Sequence, residues 1–171
     1  MLGLITASLV PATTSTAAPP PPPEHSNGMQ FRVLVFTKAT GERHASTNAG
    51  VNAIRALGQE QRFIVQVTSD ARRFNEEQLD QYRAVVLLNT TGELLDDAQQ
   101  AAFEQYFFDG GGFVGVHAAI DGEPDWQFLT DVIGTRANGA SPVSEATVKV
   151  ADRVHGASTD LPERASETVT G

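Results

Sequence analysis

The stretch Phe31-Arg-Val-Leu-Val-Phe-Thr-Lys-Ala-Thr-Gly-Glu-Arg-His44 decides how the chain is read. Its first seven residues form a nearly continuous apolar run, the pattern of a strand covered on both faces. A polar, glycine-bearing loop follows, and apolar residues then recur at helical spacing, with Val51, Ile54 and Leu57 on one face. The spacing predicts a helix over 45–57, which Gly58 is placed to end.

The same alternation continues downstream. A second strand is expected over 63–67, and Ala84-Val-Val-Leu-Leu88 reads as a third, fully buried one. Asn75 and Gln78 have capping-box spacing for a short helix that includes Leu79 and Tyr82. Asp96 and Gln99 repeat that spacing ahead of Phe103, Tyr106 and Phe107. Gly110-Gly111-Gly112 stops this helix, and a fourth strand over 113–116 follows. A short helix over 126–133 and a fifth strand over 146–150, nearer an edge, complete the pattern. Strands alternating with helices predict an open, mostly parallel, doubly wound sheet of about five strands in three α/β/α layers.

Upstream, residues 1–10 are almost wholly apolar or small, and 11–18 are small and polar, ending in Ala17-Ala18. That layout is expected of a secretory signal over 1–18, although no Lys or Arg precedes its apolar core. Five prolines, Pro19 to Pro23, favour polyproline II, so 19–29 reads as a linker and 30–171 as the domain. The expected location is therefore secreted.

Composition narrows the partners. The 171 residues carry a formal charge of −9, and every charged side chain lies from Glu24 onward. Such a surface repels phosphate backbones and anionic bilayers, so nucleic acid is not expected as a partner. No apolar run is long enough to span a bilayer, so no stable membrane anchor is expected. The absence of cysteine removes disulfides, thiolate ligands and cysteine nucleophiles together. No oligomeric state follows from the sequence.

Ligands of doubly wound sheets sit beyond the carboxyl ends of the strands, which directs attention to four loops, 38–44, 70–74, 89–95 and 117–125. The first places Lys38, Arg43 and His44 beside a helix start, where an anionic or hydroxyl-rich ligand can be met; packing of His44 against that helix start is the alternative. In the third, Thr91 and Gly92 can hydrogen-bond a sugar or carboxylate, or satisfy local backbone groups. In the fourth, Gly115-Val-His-Ala-Ala119 follows a buried strand in the setting of a nucleophile elbow, which raises His117 above the sheet. Histidine there suits a general base or a metal ligand, with Asp121, Glu123 and Asp125 close behind to orient it or share a cation. His44, His117 and Asp121 are accordingly also candidate ligands for a divalent metal, although they lack HxH or HExxH spacing. Trp126 is a candidate to stack on a sugar face, or else a core residue.

Taken in order, Val33–Lys38 with Gly41-Glu-Arg-His44, Thr90-Thr-Gly92, Asp97–Phe103, Gly110–Ala119, Asp125-Trp126 and Ala146–Val150 resemble the ThuA-like (trehalose utilisation) family. The resemblance spans residues 31–161. It implies a flavodoxin-like sheet similar to class I glutamine amidotransferases, with His117 where those enzymes carry cysteine, so a glutaminase mechanism is not expected. It also implies use of trehalose, a related disaccharide or an oxidised sugar as small-molecule carbohydrate partner. Two departures stand out. The stretch Gly134-Thr-Arg-Ala-Asn-Gly-Ala-Ser-Pro142 lacks the His-Pro pair common in the family, and the chain stops at Gly171 where relatives continue, so a C-terminally incomplete domain is expected. A non-catalytic sugar-binding or interaction domain, or a degenerate fragment of a longer protein, is the competing expectation.

The leader carries its own prediction. Intact-mass spectrometry of the secreted fraction should find the chain beginning near Ala18 or Pro19, whereas Met1 retained on cytoplasmic protein would show that residues 1–18 are not a signal.

Overall fold

The computed structural model of the chain describes residues 30–136 and 144–169. The expected leader and linker lie outside the described residues. The elements are β1 (Arg32–Phe36), α1 (Thr47–Gln61), β2 (Ile64–Thr68), α2 (Glu76–Leu79), β3 (Ala84–Leu88) and β4 (Thr91–Gly92). They continue with α3 (Asp97–Phe108), β5 (Gly112–Val116), β6 (Asp121–Gly122), α4 (Gln127–Ile133), β7 (Ser144–Lys149) and β8 (Arg164–Val169).

Four strands make the main sheet in the order β2-β1-β3-β5, all parallel. The chain runs from β1 outward to β2, then returns across β1 to β3. That reversal sets a crevice above the carboxyl ends of β1 and β3. The alternation of each apolar strand fills both faces. Val33, Val35, Val86 and Leu88 pack with Val51 and Ile54 of α1. Leu34, Phe36, Val85 and Leu87 pack with Leu79, Phe103, Tyr106 and Leu129 from the helices of the opposite layer. Burial pushes the Tyr106 phenol up to about 12, while its hydroxyl donates to the Gly112 carbonyl. The sheet is therefore α/β and sandwiched between helical layers, as the alternation predicts. Among the described residues no helix is long and apolar enough to cross a membrane.

Three local expectations need correction. Gly58 does not end α1; the helix runs on to Gln61, and Arg62 closes it in the left-handed conformation, donating its N–H to the Gly58 carbonyl. Gly58 is buried while Leu57 is half exposed, so the inward face is Val51, Ile54 and Gly58. Residues 146–150 do not extend the parallel sheet. They belong to β7, which pairs antiparallel with β8 in a separate two-stranded sheet. The polar alternation Ser-Glu-Ala-Thr-Val-Lys suits such a ribbon, whereas strands covered on both faces are apolar throughout. The capping box at Asp96 and Gln99 forms in full; at Asn75 the side chain accepts from Gln78 N, but the helix is a single turn and leaves Tyr82 outside.

Gly58 is a packing requirement. A Cβ there would lie 2.8 Å from Val65 Cγ2 and 2.9 Å from the Phe63 carbonyl oxygen, which is backbone and yields little. Gly58→Ala should lose about 1–2 kcal/mol, the cost of overpacking outweighing the better helix propensity of alanine. A thermal melt lowered by about 3–8 °C is expected. Gly156→Ala, where nothing lies within 4 Å, serves as the unchanged control; equal melts for the two variants would contradict this packing role.

Candidate functional site

Above the sheet the loops after β1, β3 and β5 are joined into one ledge. Ala39 bridges to Thr91, and β4 pairs with β6 through Thr91 with Asp121 and Gly92 with Gly122. The Thr91 carbonyl accepts from Thr40 N at 2.9 Å and from Gly41 N at 3.3 Å, and the Thr91 hydroxyl donates to the Glu42 carbonyl at 2.7 Å. Gly92 has φ +72, and a Cβ there would sit 2.4 Å from Thr40 Oγ1. Only glycine permits that approach.

This ledge brings the two loop histidines together. His117 opens the 3-10 turn His117–Ile120 directly after β5, with φ +55 and an exposed side chain. A bulky residue in the left-handed region is uncommon, and here it turns the imidazole out at the strand-to-turn junction. His44, half-buried, comes from the loop before α1, and its ring meets that of His117 edge to face with centroids 4.7 Å apart. An imidazole open to solvent, such as that of His117, can exchange a proton with a hydroxyl group brought within hydrogen-bond reach.

The other expected site residues are placed differently. Arg43 and Asp121 are exposed on the loops that frame the histidine pair. Among the described residues no three or more histidines or carboxylates gather closely enough to hold a metal ion, so His44, His117 and Asp121 do not form the ligand group considered from sequence. Lys38 is engaged by the third loop. Its ammonium donates to the Leu94 carbonyl at 2.5 Å and borders an open groove of about 750 Å³ lined by Glu93, Asp96, Asp97 and Gln99 among others. Thr91 and Gly92 hold the ledge rather than present free groups. Trp126 is 8% exposed, packs against Phe103 and Phe128, and donates its indole N–H to Glu104 at 2.8 Å. A ring enclosed in that way has no open face for a sugar, which corrects the stacking role. In the 70–74 loop, the Arg72 guanidinium beside Asp70 holds that carboxyl down to about 2.

Two residues organise the site in roles the sequence does not assign: Glu123 is expected to orient His117 or share a cation, and Asn89 is one polar residue of the third loop. Glu123, 5% exposed and at φ +55, accepts the backbone N–H groups of Leu94 and Leu95 on one oxygen and Gln100 Nε2 on the other, and its own N–H donates to the Gly92 carbonyl. Asn89 is 3% exposed, also left-handed, and lies directly between the histidine loops. Nothing in Asp121-Gly-Glu-Pro-Asp125 marks which of three carboxylates turns inward. The only cue at Asn89 is that asparagine tolerates the left-handed conformation at strand ends.

Comparisons with known proteins agree with this architecture. A family model described as ThuA, trehalose utilisation, matches residues 32–169. Among solved structures, the chain is similar to a ThuA-like protein from Bacteroides uniformis, with 24% identity and a TM-score of 0.68 over 87% of this chain and 62% of that one. It is also similar to a ThuA-like protein from Parabacteroides merdae, with 17% identity and a TM-score of 0.65 over 81% of this chain and 60% of that one. The chain thus spans under two thirds of each of these structures. No curated protein matches it significantly.

The buried carboxylate gives the test of the ledge. Glu123→Ala strands three donors and should cost about 2–4 kcal/mol. Glu123→Gln keeps an acceptor oxygen for Leu94 and Leu95 and should cost less than half as much. Urea unfolding of the two variants measures the difference; an alanine variant within about 0.5 kcal/mol of wild type would show that Glu123 does not hold the loops.

Proposed function

Because the chain belongs to the ThuA family, we propose that it processes a carbohydrate, a disaccharide such as trehalose or an oxidised sugar, at the rim where His44 meets His117. The observation that supports this reading is the edge-to-face contact of the two imidazoles at 4.7 Å, on loops that border the reversal point of the sheet. Doubly wound folds bind ligands at that crevice. In the proposed role, His117, the exposed member, takes a proton from a sugar hydroxyl or from a carbon beside a sugar carbonyl. His44, held against it, stabilises the charged imidazole or returns the proton. Arg43 stands on the same rim as a hydroxyl or carboxylate contact. With no cysteine in the chain, the acyl chemistry of glutaminases has no nucleophile here. The export signal expected over 1–18 sets this activity outside the cytoplasm under the same proposal.

A second reading, binding without turnover, is favoured by one specific observation. His44 and His117 meet through ring edge and ring face rather than through a hydrogen bond, so the pair can shape a surface for a ligand without a ready path for a proton.

His117→Ala separates function from folding. The side chain is exposed, so its removal should cost at most about 1 kcal/mol. Turnover of the sugar should fall about a hundredfold or more, the usual weight of a general base. His155, exposed between β7 and β8 with its ring accepting the N–H of Ala157, supplies the control: His155→Ala should change neither property. Calorimetric titration with trehalose and related disaccharides, followed by a turnover assay and a thermal melt for each variant, provides the readouts. Normal binding by a His117→Ala variant that melts several degrees early would make His117 structural, and binding by wild type without turnover would favour the second reading.

A further inference from the structure

Resting on the reading of His44 and His117 as the reactive pair, we infer that Asn89 is the positioning residue that holds the two imidazoles against each other. Asn89 is the first residue beyond β3, the strand between those whose loops carry the histidines. Its backbone N–H donates to the Val116 carbonyl at 3.2 Å, one residue before His117. Its side chain reaches the other loop, where Nδ2 donates to Ser46 Oγ at 3.0 Å and to Thr47 Oγ1 at 3.1 Å. Thr47 in turn donates its N–H at 3.2 Å and its hydroxyl at 2.9 Å to the His44 carbonyl.

This relay has a direction. The Thr47 hydroxyl has one proton, directed to His44, so its oxygen is left to accept from a donor. Asparagine supplies that donor; aspartate of the same shape does not. Asn89 is enclosed, so its amide cannot exchange these partners for water. Its φ of +52 aims the amide at α1 while the backbone stays in register with β5. Asparagine is among the few non-glycine residues that adopt this conformation readily. One residue therefore holds the carbonyl of His44 on one side, through Thr47, and the strand end that launches His117 on the other.

Three variants of the full chain test the inference. Asn89→Gly suits the backbone angle and retains the N–H to Val116, deleting only the amide. Asn89→Asp keeps the shape and removes the donor. Thr47→Val leaves Asn89 in place and removes the relay hydroxyl. With histidine-labelled protein, the ring-to-ring nuclear Overhauser effect between His44 and His117 is measured beside a thermal melt. Wild type should show the effect, and each variant should lose at least about half of its intensity, with the histidine ring resonances displaced, while melting as a folded domain. Full intensity in folded Asn89→Gly and Thr47→Val overturns the inference and leaves the histidine pair standing. Should the Asn89 variants fail to fold, Thr47→Val decides alone. Absence of the effect in wild type overturns the pair itself, and with it both the acid–base reading and the role given to Asn89.

Discussion

A buried carboxylate must be given donors, and Glu123 is given three. From the loop after β5, it takes the N–H groups of Leu94 and Leu95 and the amide of Gln100, and it returns its own N–H to Gly92. That exchange ties the β3 loop to the β5 loop at the entrance to α3. Thr91 then ties the same loop to the one after β1, through its carbonyl and its hydroxyl. Three loops that sequence alone would leave independent become one rigid ledge. Backbone hydrogen bonds from Thr40, Gly41 and Glu123 hold the ledge that carries the histidines.

The accounting of polar groups also explains why several plausible sugar contacts are not available. A threonine hydroxyl, a lysine ammonium and an indole N–H are each attractive donors to a ligand. In this fold Thr91 donates to Glu42, Lys38 to Leu94 and Trp126 to Glu104. The loops of the ledge leave His117 exposed and His44 half-buried, with Arg43 and the carboxylates Glu42, Glu93, Asp121 and Asp125 exposed as well.

Much of the fold was legible because its signals are local. Continuous apolar runs marked β1, β3 and β5, and the Asp96–Gln99 spacing marked the start of α3, where side chain and backbone reciprocate within one turn. The errors arose where a partner distant in sequence decides the outcome. Gly58 resembles a helix terminator until Val65 is found against it, and β7 resembles an edge strand until β8 claims it. The site was half legible for the same reason. The strand-to-turn setting singled out His117 and the first loop singled out His44, but their contact depends on three loops closing together. Asn89 and Glu123 lay in polar loops without periodicity, where nothing distinguishes an enclosed side chain from a solvated one.

The claim that carbohydrate meets the chain at the histidine rim is tested most directly by mapping amide and histidine ring resonances during titration with trehalose and with a reducing disaccharide. The account predicts saturable displacements concentrated at His44, Asn89, His117 and Asp121. Displacements confined to the groove beside Lys38 and Gln99, or no displacement with any disaccharide, would contradict it.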